Sequence, residues 1–298
     1  MPAVRRPAPS PENALSAPDL SARIERLFVY PIKSCAGVEL REAVLTETGL
    51  DLDRAWMVVD EAGEYVTQRE LPRMALIRPQ LKLHEVVLRA PGMLALHLQI
   101  DTVEEPARVR IWGDEVRAYD MGPIAAQWFS DFLGRKLRLV RFDPDHRRLS
   151  NRKWTGEIEA PNQFSDGFPL LLASQASLDL LNEKLAARGH AAVGMERFRP
   201  NIVLSGIEAH DEDRVGMFEV AADQPVRLQP VKPCGRCPIP DIDPATAEID
   251  PAIGDTLRTY RANALLNGAM SFGMNLVIAQ GVDQTLKVGQ AVTADLRF

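Results

Sequence analysis

Residues 109–120, VRIWGDEVRAYD, decide the fold class, because they predict two short strands joined by a tight turn. Apolar and polar side chains alternate on both sides of a turn at residues 113–114, which is the pattern of a β-hairpin with one buried face. Residues 55–70, AWMVVDEAGEYVTQRE, predict a second hairpin that turns at residues 61–63. Residues 94–100, LALHLQI, alternate strictly and predict a further strand. The first third of the chain is therefore predicted to be mostly β.

Two helices are predicted within this β pattern. Residues 122–134, GPIAAQWFSDFLG, place large apolar residues on one stripe and end at Gly134. Residues 174–189, SQASLDLLNEKLAARG, begin at Ser174, whose side chain suits an N-cap, and end at Gly189. Such stripes usually face a protein core, so both segments are interpreted as packing helices without a cofactor role. The predicted buried residues are Ile124, Trp128, Phe129, Phe132 and Leu133 in the first helix and Leu178, Leu181 and Leu185 in the second.

The rest of the chain returns to strand patterns. The fold class is therefore predicted to be α+β and predominantly β, with two β-barrel-like units and a few packing helices, because closed barrels leave no exposed strand edges. The polar, turn-rich residues 143–167 interrupt the periodicity and predict a boundary. The predicted units are a disordered tail at residues 1–22, one barrel domain at 23–145 and a second at 146–298. The later strands are predicted within residues 197–206, 217–222, 226–234, 274–281 and 290–298.

Composition limits the classes of function. The 298 residues include 35 Lys and Arg against 41 Asp and Glu, a net charge of −6, so no general attraction to nucleic acid or to an anionic membrane is expected. No apolar run reaches the roughly 18 residues of a membrane span, and the N-terminus lacks the apolar centre of a signal peptide. Three cysteines are too few for a disulfide framework and suit a reducing compartment. The predicted location is the cytoplasm.

Residues 231–240, VKPCGRCPIP, hold two of the three cysteines in a C-x-x-C spacing that allows three interpretations. A structural zinc site needs more ligands, yet the sequence has no second C-x-x-C and no His pair at a compatible spacing. A thioredoxin-like dithiol lies near the start of a helix, which the nearby prolines disfavour. The third interpretation is one thiolate that binds a metal carried by a cofactor, with Lys232 and Arg236 lowering the thiol pKa. Against it stands the ordinary role of a free cysteine as a small buried apolar residue.

Several longer stretches resemble one known family. Residues 232–248, KPCGRCPIPDIDPATAE, resemble the cysteine loop of MOSC domains, the molybdenum cofactor sulfurase C-terminal type. Residues 29–40 and 49–77 resemble the N-terminal β-barrel region that precedes MOSC in the mitochondrial amidoxime-reducing component and its bacterial relatives. The resemblance covers nearly all of the chain from Arg23 onward. The further matching stretches are residues 164–182, 197–206, 271–278 and 286–292.

The resemblance implies a pyranopterin molybdenum cofactor bound between the two regions, with one cysteine thiolate as a protein ligand to the metal. Carried over, that ligand is Cys237, whereas Cys234 is not implied as a ligand and Cys35 is interpreted as a packed thiol. The cofactor phosphate needs donors in a protein of net negative charge, and a lysine, a hydroxyl and an arginine fork suit it. The implied phosphate contacts are Lys33, Ser34 and Arg54, and the further implied cofactor contacts are Asp166, Ser174, Arg199, Asn201 and Arg236.

Two departures from the family pattern bear on mechanism. Where eukaryotic members commonly have Thr-Thr after the cysteine loop, this chain has Pro240-Asp241, and Asp241 is a hypothetical source of protons near the metal. The sequence ends at Phe298 without the ferredoxin-like module that follows in some bacterial relatives. Electrons are therefore expected from a separate ferredoxin- or flavoprotein-type donor.

The activity that the resemblance implies is molybdenum-dependent reduction of N-hydroxylated or N-oxygenated compounds, such as amidoximes or hydroxylamines. The expected partners are a small-molecule substrate and the electron donor, with no nucleic acid and no membrane span. The alternative is a protein that carries a persulfide on Cys237, or that binds the cofactor and transfers it without turnover. A third interpretation is a β-barrel binding module with ordinary buried thiols.

Overall fold

The computed structural model of the protein describes residues 18–102 and 105–297. The predicted α+β, predominantly β class is confirmed. The strands are β1 (Leu20–Val29), β2 (Val38–Leu40), β3 (Glu42–Thr46), β4 (Gly49–Leu50), β5 (Trp56–Val59), β6 (Arg78–Leu81), β7 (Glu85–Arg89), β8 (Leu96–Gln99), β9 (Pro106–Ile111), β10 (Asp114–Asp120), β11 (Arg138–Phe142), β12 (Leu170–Ser174), β13 (Ile202–Ser205), β14 (Val215–Val220), β15 (Val226–Gly235), β16 (Ser271–Gln280), β17 (Thr285–Lys287) and β18 (Ala291–Leu296). The α-helices are α1 (Gly122–Leu133), α2 (Arg152–Thr155), α3 (Gln175–Ala186) and α4 (Ala252–Arg258). Short 3₁₀ turns lie at Pro72–Leu76, Met195–Arg197, Asp211–Arg214, Ile239–Asp241 and Ala264–Leu266.

A closed barrel forms the larger part of the fold. Its strands follow the order β13-β12-β16-β15-β14-β18-β1, and β1 pairs back with β13 to complete the ring. Neighbouring strands are antiparallel except β12 and β13, which are parallel. Each barrel strand contributes buried apolar side chains to one common core, among them Leu27, Phe218 and Leu276. Closure of the ring also leaves no unpaired strand edge in the barrel.

The barrel takes one strand from far upstream in the chain. β1 begins inside the predicted tail of residues 1–22, and residues 1–17 of that tail lie outside the described residues. The upstream residues Leu45 and Leu50 also belong to the barrel core. β1 is thus hydrogen-bonded to the C-terminal strands β13 and β18, and the turn that follows β1 lies beside the barrel wall.

β2 pairs with β1 beside the barrel, and the other strands form smaller sheets, with the orders β5-β11-β10-β9, β6-β7-β8 and β17-β3-β4. The hairpin predicted from residues 109–120 is confirmed as β9 and β10. Its two turn residues are Trp112 and Gly113, one position earlier than predicted, and their φ angles of 53° and 89° suit a two-residue hairpin turn. The predicted hairpin of residues 55–70 forms its turn, but its second arm makes only isolated bridges.

Both longer predicted helices are confirmed. In α3, the Ser174 hydroxyl accepts the Ser177 backbone N–H over 3.1 Å, which is the predicted N-cap, and the three predicted leucines are buried. In α1 the prediction for Ile124 is wrong, because this side chain is 76 % exposed. The buried face is centred on Ala125 and Phe129, and Ile124 lies about 100° around the helix from that centre. Across the described ranges, none of the helices has the length and apolar character that crossing a membrane requires.

Candidate functional site

A cleft opens where the turn after β1, the loop before β12 and the end of β15 meet. Its empty volume, including the open mouth, is about 810 Å³. Eight of the ten candidate site residues line it, so the fold brings together side chains from distant parts of the sequence. These residues are Lys33, Ser34, Arg54, Asp166, Arg199, Asn201, Arg236 and Cys237.

The cysteine loop forms one part of the cleft wall. β15 continues to Gly235, so Cys234 belongs to the end of a strand, whereas Cys237 lies in the loop beyond it. Pro238 follows at once and precedes the 3₁₀ turn Ile239–Asp241, because a proline-rich segment cannot sustain an α-helix. Both thiols are free, partly buried and exposed to the cleft.

Arg236 contacts the first thiol of this loop and not the second. Its Nη1 donates to Cys234 Sγ over 2.9 Å, and its Nη2 donates to the carbonyl oxygen of Phe198 over 2.6 Å. The Lys232 ammonium lies elsewhere, 5.1 Å from the centre of the Trp154 ring. Within the described part of the chain, the Cys237 thiol has no hydrogen-bond partner and stays available as a ligand.

Lys33 supplies a buried positive charge to the cleft. Pro31 ends the regular ladder of β1, and the chain then turns and buries the Lys33 side chain. The Lys33 Nζ donates to the Phe164 carbonyl oxygen over 2.9 Å and pairs with the Asp166 carboxylate. Burial lowers the pKa of Lys33, and the neighbouring carboxylate offsets part of that effect. An anionic ligand beside this ammonium would offset more of it, so the position favours anions.

Two arginines lie against one buried tyrosine ring. The guanidinium carbons of Arg54 and Arg199 are 4.4 and 4.2 Å from the centre of the Tyr30 ring, within the range of cation–π contacts. Arg54 Nη2 donates to the Arg199 carbonyl oxygen over 3.0 Å, and Arg199 Nη1 donates to the Cys35 carbonyl oxygen over 2.6 Å. Burial first, and then the like charge of Arg54, lower the pKa of Arg199 to about 10. Arg54 is also paired with the buried Asp53 carboxylate over 2.5 Å, so Arg199 supplies the uncompensated charge of the pair, which suits an anion beside it.

Asn201 fixes one of these arginines to the barrel. Its Oδ1 accepts from Arg54 Nη1 and from the Leu171 backbone N–H, each over 3.1 Å. Its Nδ2 donates to the Phe28 carbonyl oxygen over 3.2 Å. The buried amide therefore ties the arginine to β1 and β12, and its structural role is to position that arginine.

Three residues of the cleft have a strained backbone. Ser34, Arg54 and Arg199 have φ angles of 68°, 52° and 58°, in the left-handed region that residues with a side chain usually avoid. Strained conformations of this kind tend to collect at functional sites, where the surrounding structure holds them in place. All three residues are implied cofactor contacts, so the backbone supports the same assignment independently of the side-chain chemistry.

Two of the candidate residues lie outside the cleft. Ser174 is fully buried; its hydroxyl caps α3 and contacts the Glu212 carboxylate over 3.0 Å. Asp241 is also buried, and its Oδ1 accepts the Gly254 backbone N–H over 2.8 Å near the start of α4. Both side chains are therefore occupied with helix contacts, and their implied roles at the cofactor and in proton supply remain predictions.

Sequence reasoning missed several residues at the cleft mouth. Trp112 Nε1 donates to the Asp166 carboxylate over 3.2 Å, and the Arg69 guanidinium lies 4.8 Å from the Trp112 ring centre. The available signal was a large aromatic residue in a tight turn. The other unpredicted lining residues that carry polar or aromatic groups are Thr67, Ser165, Phe168, Phe198 and Asn275.

Arg148 holds the loop that carries Asp166. Its Nε donates to the Asp114 carboxylate over 2.9 Å. Its Nη1 donates to Asn162 Oδ1 over 2.7 Å and to the Ser165 carbonyl oxygen over 2.8 Å. The guanidinium is buried and charge-assisted hydrogen bonds are the strong ones, so Arg148 positions one side of the cleft without lining it.

Comparison with known proteins gives the family. The MOSC N-terminal beta barrel domain family matches residues 21–136, and the MOSC domain family matches residues 159–293. The chain belongs to the MOSC family.

Relatives of this MOSC protein include named mitochondrial proteins. Mitochondrial amidoxime reducing component 2 of Rattus norvegicus is 33% identical over 286 residues, which cover 90% of this chain and 82% of that protein. Mitochondrial amidoxime-reducing component 1 of Mus musculus is 37% identical over 248 residues, which cover 80% of this chain and 71% of that protein. Molybdenum cofactor sulfurase of Bos taurus is 30% identical over 257 residues, which cover 80% of this chain but 29% of that protein.

The MOSC cleft takes residues from both matched segments. Lys33 and Arg54 lie in the first, and Arg199 and Cys237 lie in the second. The family resemblance indicated by the sequence motifs is thus confirmed over both segments.

Proposed function

We propose that this MOSC protein is a molybdenum cofactor-dependent oxidoreductase that reduces N-hydroxylated or N-oxygenated compounds. The observation that carries the proposal is the composition of one cleft: a cysteine thiol without a hydrogen-bond partner among the described residues, together with five cationic side chains, among them Lys33, Arg54 and Arg199. Cys237 provides the soft ligand, and Lys33, Arg54 and Arg199 provide the charge that a phosphate-bearing, anionic cofactor requires. This donor set fits a molybdenum pyranopterin.

In this proposal each side chain has a separate task. The Cys237 thiolate would hold the metal, and Lys33, Ser34 and Arg54 would hold the cofactor phosphate. Arg199 and Arg236 would balance the negative charge of the cofactor sulfurs and oxygens. When bound, the molybdenum centre supplies the two-electron, oxygen-accepting chemistry that no amino-acid side chain offers.

The proposed substrate class follows from the relatives and from the open cleft. Reduction of an amidoxime consumes two electrons and two protons, breaks the N–O bond and yields an amidine and water. The electrons would come from a separate donor protein of the ferredoxin or flavoprotein type. The names of the rat and mouse relatives support amidoxime reduction. The cytoplasmic location remains a prediction from composition.

A second candidate is a persulfide carrier or cofactor-transfer protein. The presence of two partly buried free thiols in one cleft favours it, as does the similarity to a bovine molybdenum cofactor sulfurase. A persulfide on Cys237, detected by mass spectrometry in metal-free protein, would support this candidate.

The test is a reductase assay on protein made in a host that synthesises the cofactor. Acetamidoxime is incubated with a reduced viologen dye as the electron source, and the amidine is measured by mass spectrometry. Cys237→Ala is expected to fall to the background rate, whereas the matched control Cys234→Ala keeps measurable turnover. Undiminished reduction by Cys237→Ala with full molybdenum content would overturn the assignment.

A further inference from the structure

A second cavity lies on the other side of the cysteine loop from β15 and is separate from the cofactor cleft in most of its lining. Its empty volume, including the open mouth, is about 1110 Å³. One part of its wall is the segment after the Lys33 turn together with residues around Pro79, and another part is the segment that follows Cys237. The residues that the argument uses are Val38, Ala75, Pro79, Ile242, Pro244 and Ala245.

The cavity adjoins the proposed reaction site. Arg199 and Ile239 line both the cleft and this cavity. Ile239 is two positions after Cys237, so the cavity begins beside the proposed metal ligand. A molecule whose reacting group lies at the metal would have this space beside it, past Ile239.

The chemistry of the cavity favours an uncharged, apolar group. The side chains of Val38, Pro79 and Ile242 offer only carbon atoms to a ligand. Two of the charged residues in the lining are already paired. Glu39 accepts two hydrogen bonds from Arg26, each over 2.8 Å, and Arg197 donates to Asp243 over 2.9 Å.

The remaining charges do not favour one sign of ligand. Arg78 and Glu196, both exposed, carry opposite charges, and Arg199 donates to the Cys35 carbonyl oxygen over 2.6 Å. A charged substrate body would lose its hydration here without gaining a clear partner. An apolar body would gain by leaving water.

Resting on the proposed function, we infer that this cavity binds the apolar body of the substrate and so selects N-hydroxylated compounds that carry an aryl or bulky alkyl group. The wall is held in place by the contacts of the 3₁₀ turn. Asp241 accepts from Gly254 over 2.8 Å, and Arg197 donates to the Pro240 carbonyl oxygen over 3.3 Å. Asp241 thus positions the wall of the cavity behind the turn.

The test fills the cavity and compares two amidoximes that differ only in body size, acetamidoxime and 2-naphthamidoxime. Ala245→Trp adds a large ring at an exposed position of the lining, and Val38→Trp adds one from another part of the wall. Ala186→Trp, at the exposed end of α3 and outside both cavities, is the matched control. Molybdenum content is measured for every variant, and calorimetry measures binding of 2-naphthamidoxime to molybdenum-free protein.

Each filling variant is expected to raise the KM for 2-naphthamidoxime about tenfold, the size of effect that lost apolar contacts give in specificity pockets, while acetamidoxime turnover and the control stay unchanged. Calorimetry should show a parallel loss of affinity for 2-naphthamidoxime. Equal effects on both substrates, no effect on either, or a loss of molybdenum would each overturn the inference. If the unmodified protein reduces neither amidoxime, the proposed function fails, and the calorimetry alone decides whether the cavity takes the naphthyl body.

Discussion

Replacing Tyr30 separates the two roles that its side chain could play in the cleft. The ring is fully buried and contacts the guanidinium groups of Arg54 and Arg199 at 4.4 and 4.2 Å. Its hydroxyl, also buried, has no hydrogen-bond partner within the described residues, and burial raises its pKa. The ring therefore stabilises the arginine pair, whereas the hydroxyl contributes nothing to it. Tyr30→Phe removes only the hydroxyl, and Tyr30→Leu removes the ring.

The magnitudes follow from these contacts. Each cation–π contact contributes at least about 0.5–1 kcal/mol, the magnitude found at exposed sites. Loss of the packed ring adds about 1–2 kcal/mol, less than truncation to alanine costs. Tyr30→Leu should therefore lower the free energy of unfolding by about 2–4 kcal/mol. Tyr30→Phe should leave it equal to the wild-type value or raise it by about 1 kcal/mol, because an unsatisfied buried hydroxyl is removed.

Urea unfolding followed by tryptophan fluorescence measures the free energies, and metal analysis of purified protein measures retained molybdenum. Tyr30→Phe should retain the wild-type molybdenum content, and Tyr30→Leu should retain less because both arginines lose their support. A Tyr30→Phe variant as impaired as Tyr30→Leu would refute the reasoning, since the hydroxyl would then have a function that the contacts do not show.

Three further predictions concern residues around the cleft. Arg148→Ala should lower the free energy of unfolding by about 2–3 kcal/mol in urea titrations, because it leaves the buried Asn162 amide oxygen and loop carbonyl groups unpaired; an effect below about 1 kcal/mol would contradict the positioning role. Asp241→Asn should keep its reductase pH profile while losing about 1 kcal/mol of stability, since the side chain accepts the Gly254 backbone N–H; an altered pH profile would support its predicted part in proton supply. Burial lowers the pKa of Lys33, so its ammonium loses its positive charge at a lower pH than that of an exposed lysine. Calorimetry on metal-free protein should therefore show phosphate affinity falling as the pH rises through this lowered range. In Lys33→Arg the fall should move to higher pH, and an unchanged profile would contradict the assignment.

Local features of the fold could be predicted from the sequence, because their causes are local. The hairpin of residues 109–120 followed from alternation around a tight turn, and the N-cap of α3 followed from Ser174. The closure of the barrel through β1 could not be predicted, since the pairing of residues 20–29 with β13 depends on contacts across most of the chain. The exposed Ile124 could not be predicted for the same reason, because the elements that pack against α1 determine which helix face is buried.

The candidate site divides in a similar way. The family motifs supplied the residues that face the cleft, but no motif shows that Arg54 and Arg199 share one tyrosine ring or that their backbones are strained. The motif match also did not show that the side chains of Ser174 and Asp241 contact helix ends. The kinds of side chain at the site could thus be predicted from the sequence, whereas the residues that each side chain contacts could not.

The central claim is that Cys237 binds molybdenum in this cleft, and metal analysis tests it most directly. Wild type, Cys237→Ser and the matched control Cys234→Ser are expressed in a host that makes the cofactor, and molybdenum is measured per chain. The account predicts near-stoichiometric molybdenum in the wild type, a marked loss in Cys237→Ser, and retention in Cys234→Ser. Equal molybdenum in Cys237→Ser and the wild type, or none in any of the three, would contradict it.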